Sequence, residues 1–65
     1  MRRFLKYFVT PVRRGRLYEL LGADQADRVV SELLGDELIW QAGGQFSVTA
    51  AGLRSYTQWL AELKE

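Results

Sequence analysis

The chain has 65 residues, 48% of them hydrophobic, carries a net charge of +1, and contains no cysteine and no histidine. That length holds a single domain, residues 1–65, and a chain so short buries only about 60% of its unfolded surface, which leaves a thin margin of stability. Without Cys or His, disulfides, thiolate nucleophiles, zinc fingers and imidazole bases are excluded together, so the fold rests on its apolar core.

The basic start, MRRFLKYFVTPV, lacks the apolar h-region of a secretory signal, because Lys6 and Thr10–Pro11 interrupt it. No apolar run approaches the roughly 18 residues of a membrane span. The chain therefore reads as soluble and cytoplasmic. Phe4, Leu5 and Phe8 share one face of a short helical segment over Arg3 to Phe8. Thr10 is a suitable N-cap and Pro11 suits a first helical position, so a second helix is expected beyond them. Gly15 weakens its early part, which leaves Arg14 to Leu21 as the firm portion, with Leu17, Leu20 and Leu21 as its apolar set and Gly22 as the stop.

The clearest helix is ADQADRVVSELLG, Ala23 to Gly35. Ala26, Val29, Val30, Leu33 and Leu34 form its stripe. Asp24 is placed to cap it, Asp27 takes the position of the capping-box acid, and Gly35 is placed to end it. Two strand-like runs follow, Leu38 to Ala42 and Gln45 to Thr49, around Gly43–Gly44. A two-residue glycine loop pairs Ile39 with Val48 and Gln41 with Phe46, so Ile39, Phe46 and Val48 face the core while Trp40 lies opposite Ser47 on the outer face. Thr49 is positioned to cap a last helix from Ala50 to about Lys64. Its stripe is Leu53, Tyr56, Leu60 and Leu63 with Trp59 beside it, and Lys64 suits its C-terminus.

Charge is divided unevenly. Residues 1–16 hold Arg2, Arg3, Lys6, Arg13, Arg14 and Arg16 and no acid, whereas the remainder holds three bases and eight acids. Such asymmetry points to an anionic partner, or to halves that neutralise each other in the fold. Tyr7 and Tyr18, close to these bases, could stack on single-stranded nucleotides, though packing is the commoner role of such rings. Tyr56 and Trp59 are expected to fill core or interface rather than form a binding cage. The acids form no metal-ligand pattern and the glycines no phosphate loop, so no catalytic residue, metal or cofactor is expected, and no small-molecule substrate is evident.

The third helix, the turn GDELIW, the Gly-Gly hairpin and SVTAAG leading into a final helix together resemble a winged helix-turn-helix domain. The resemblance implies a mainly α fold with a small β-hairpin: three helices, a two-stranded wing and a C-terminal helix. It covers roughly Arg14 to Leu63. By position, Ala23 would begin the helix that enters the groove of a target, with Asp24, Gln25, Asp27, Arg28 and Ser31 exposed early and Gln41 to Gln45 as the wing tip. Gln25 and Arg28 have the chemistry to read base edges, unless Arg28 is paired with Asp24 or Glu32 along its own helix. The carboxylates of Asp24 and Asp27 and a wing tip without Lys or Arg depart from a DNA reader.

Two functions follow as expectations. One is a small DNA-binding transcriptional regulator that uses the N-terminal bases with Gln25 and Arg28. The other is a protein-interaction module, with a protein partner or a second copy in a homodimer, that uses Trp40, Asp24 and Asp27.

Overall fold

The structure is a computed structural model, and it describes residues 1–63. Lys64, expected near the end of the last helix, lies outside the described residues. A 3-10 helix, Arg2–Phe8, opens the chain and is followed by β1 (Val12–Arg13), α1 (Arg14–Leu21), α2 (Ala23–Gly35), β2 (Ile39–Ala42), β3 (Gln45–Val48) and α3 (Ala50–Leu63). The architecture is mainly helical with one small antiparallel sheet of order β1-β3-β2.

The hairpin has the expected register: Ile39 faces Val48, Trp40 faces Ser47 and Gln41 faces Phe46. Gly43 and Gly44 both take positive φ, as a tight two-residue loop requires. The sheet differs from the expected two strands because Val12 and Arg13 pair with Phe46 and Gln45. Thr10–Pro11 therefore leads into a strand rather than a helix. Arg13 keeps an extended backbone at φ −88° and ψ 153°, and helix α1 starts only after it. Pro11, which has no N–H to give a ladder, precedes a strand at the sheet edge, where prolines are tolerated.

Leu5, Phe8, Leu17, Ala26, Val29, Val30, Leu33, Ile39 and Phe46 form one core shared by the 3-10 helix, α1, α2 and the hairpin. Val48 packs half-buried against it. Leu20 does not join, being 46% exposed. Helix α1 has only eight residues, packs against α2 and β1, and buries Leu17 alone. Tyr18 and Leu21 rather than Leu20 pack half-buried against the core beside Leu17. The expected stripe of α3 is also largely uncovered. Gly52 is its one buried residue among those described, Tyr56 and Trp59 are half-buried, and Leu53, Leu60 and Leu63 are exposed.

Both ends of α2 depart from the expected caps. Gly22 is its N-cap and no side chain caps it, so Asp24 lies inside the first turn. At the other end Gly35 remains helical, and the left-handed position falls on Glu37, at φ 60°. There the Glu37 N–H donates to the Leu34 carbonyl (3.0 Å) and the Leu38 N–H to the Leu33 carbonyl (2.9 Å), the Schellman pattern with a glutamate where glycine is usual. Thr49 caps α3 as expected: its hydroxyl accepts from the Gly52 N–H at 3.0 Å and donates to the Glu37 carbonyl at 2.8 Å. One threonine thus ties the end of α2 to the start of α3.

Candidate nucleic-acid interface

The six N-terminal bases do not form one patch of unpaired charge. Arg2 reaches Glu62 at 3.1 Å, Arg14 reaches Asp27 at 2.7 Å and Arg16 reaches Glu19 at 3.7 Å. Neutralisation within the fold, one of the two readings of the charge asymmetry, accounts for three of the six. Arg3, Lys6 and Arg13 have no carboxylate partner among the described residues.

Arg13 owes its place to β1. The Arg13–Gln45 pairing carries it alongside the wing. Its Nη1 lies 3.8 Å from the point that a Cβ on Gly44 would occupy. The wing tip, which contains no base of its own between Gln41 and Gln45, therefore receives one from a distant segment. Here glycine amides and a guanidinium lie together, both of them groups that bind phosphate oxygens.

Asp27 is also answered by residues far away in sequence. Its Oδ1 accepts from Arg14 Nη1 at 2.7 Å and from the Tyr18 hydroxyl at 2.6 Å. Instead of closing a capping box on α2, this carboxylate ties α1 to α2. The Arg14 guanidinium lies 5.2 Å over the Phe46 ring. The neighbouring Tyr18 hydroxyl raises the Arg14 pKa, slight desolvation lowers it, and Asp27 raises it again; on balance the guanidinium is held more firmly charged. Sequence reasoning missed Tyr18 as the partner of Asp27, because nine positions and a helix junction separate them.

On α2, Asp24, Gln25, Arg28, Ser31 and Glu32 are exposed. Arg28 does not pair with Asp24 or Glu32, contrary to the intrahelical pairing its spacing allows. Gln25 lies with Arg3 and Lys6 around a groove between the 3-10 helix and α3, whose lining includes neither Arg13 nor the wing tip. The candidate contacts thus divide into Arg13 with the wing tip, Arg28 on the open face of α2, and Arg3, Lys6 and Gln25 at the groove. Trp40 lies on the outer sheet face, 52% exposed.

Among the described residues no group of acids could hold a metal ion, and no helix is long and apolar enough to cross a membrane. Comparison with known proteins returns no match: no family model, no curated protein and no solved structure is similar enough to lend the chain an identity.

Proposed function

We propose that this chain is a winged helix-turn-helix module that binds nucleic acid, most simply a small cytoplasmic regulator of transcription that binds DNA. The order of elements supports the reading, with two helices joined through Gly22 followed directly by a glycine-tipped hairpin and a closing helix. The observation that carries it is Arg13 at the wing tip. It provides the positive charge that the hairpin sequence lacks, next to glycine amides that a phosphate can approach. Arg14 also removes much of the penalty of Asp27, since a carboxylate already paired at 2.7 Å repels a polyanion far less than a free one.

The test is fluorescence anisotropy with a labelled mixed-sequence duplex at two salt concentrations. Binding should weaken as salt rises, with each neutralised phosphate contributing about −0.9 to the slope of log K against log salt. Arg13→Glu should lower the affinity and remove about one unit of that slope. No binding even at low salt overturns the proposal.

Trp40 favours a second reading, a protein-interaction module. An indole half exposed on a sheet face is the kind of side chain that anchors protein interfaces.

A further inference from the structure

The C-terminal half of α3 runs past the core and leaves a wedge between itself, the 3-10 helix and the start of α2. We propose that this wedge is a binding site for a small aromatic anion, whether or not the chain binds nucleic acid. Its volume is about 620 Å³, within the usual range of ligand sites. Two aromatic pairs line it: Phe4 and Tyr7, 6.4 Å apart on the 3-10 helix, and Tyr56 and Trp59, 6.0 Å apart on α3. Aromatic rings pack against a further ring edge-to-face as well as offset, so a lining of four of them favours an aromatic body. Leu60 and Leu63 extend the apolar lining, and Gln25 of α2 adds one neutral polar group.

Charge selects the rest of the ligand. Arg3 and Lys6 line the wedge, and among the described residues no carboxylate does. Glu62, on the same helix as Trp59, is held by Arg2 at 3.1 Å. The Arg3 guanidinium lies 5.0 Å from the Phe4 ring centroid and the Lys6 ammonium 5.2 Å from that of Tyr7, and neither cation has a carboxylate partner among the described residues. A carboxylate or sulfonate on the ring system would supply a counter-ion. A second copy docked two-fold on this face would instead bring two further bases to it, and like charges brought together at an interface are costly. Phe4, Tyr7 and Tyr56 pack against the core as well as lining this wedge, in keeping with the expectation that Tyr56 and Trp59 fill core or interface.

The test uses a Trp40→Phe variant, in which Trp59 is the only indole. It is titrated with anilinonaphthalene sulfonate and with phenylnaphthylamine, the same ring system without the charge. The sulfonate should quench Trp59 saturably, at one dye per chain and about tenfold more tightly than the neutral dye. Replacing Arg3 and Lys6 together by Gln should abolish that preference by weakening the sulfonate about tenfold while leaving the neutral dye within about twofold. Both side chains lie at the surface, so the double variant retains the fold, checked by circular dichroism. Equal affinity for the two dyes, or sulfonate binding indifferent to the double substitution, overturns the proposal. So does sedimentation showing that self-association expels the dye, which would assign the wedge to a second copy.

Discussion

Gly52 sits directly against the main-chain carbonyl of Leu38, in a space that admits no Cβ. A methyl group built on Gly52 would overlap that oxygen and lie 2.7 Å from Val48 Cγ2. The close approach seats the first turn of α3 on the start of the hairpin, next to the Thr49 cap. It explains physically why a glycine stands three residues after the threonine: N3 of this helix is packed against backbone, which cannot move aside as a side chain can. Gly52→Ala should therefore destabilise the protein by about 2 kcal/mol, the overpacking cost exceeding the helix-propensity gain of about 1 kcal/mol. Urea denaturation measures it. A stabilised variant would show that propensity prevails and that the contact is looser than described.

Glu37 poses the opposite case. Its φ of 60° is left-handed, where a Cβ is unfavourable, and its exposed side chain makes no hydrogen bond or ion pair among the described residues. Glu37→Gly should raise stability by about 0.5–1 kcal/mol, the relief of the left-handed strain less the added freedom of the unfolded chain. Thermal unfolding of the two proteins provides the comparison, and the Thr49 bond to the residue 37 carbonyl should persist in both.

The Arg14–Asp27 pair is exposed, with 44% and 53% of the two side chains accessible. Asp27→Asn should accordingly cost less than about 1 kcal/mol of stability. If the chain binds nucleic acid as proposed, the same change should strengthen binding severalfold, because it frees Arg14 and removes a carboxylate from α2. The anisotropy titration reads this directly. Weaker binding by the variant would show that the pair acts as a unit in orienting Arg14.

Trp40 lies outside the core but is only half exposed within β2, so Trp40→Ala should lower stability modestly, by about 1 kcal/mol, without unfolding the protein. A protein-interaction role predicts that the same substitution abolishes a complex, which sedimentation or co-purification detects while circular dichroism stays constant. Retention of the complex would remove Trp40 as its anchor.

Wherever short-range chemistry was enough, the sequence by itself determined the structure. Gly43–Gly44 and the alternation of Ile39, Phe46 and Val48 specify the hairpin and its register, because a one-residue slip would turn the apolar set to water. The stripe from Ala26 to Leu33 specifies α2, and the Thr49 hydroxyl specifies the start of α3. Only the tertiary structure decided which apolar faces are covered and which charges remain unpaired. Periodicity marks an apolar side of α3 but says nothing of whether a neighbour lies over it, so Leu53, Leu60 and Leu63 could not be read as exposed. The pairing of β1 with β3, the delivery of Arg13 to the wing and the capture of Asp27 by Arg14 and Tyr18 depend on segments brought together by the shared core. Long-range placement of that kind leaves no local signal in the residues that undergo it.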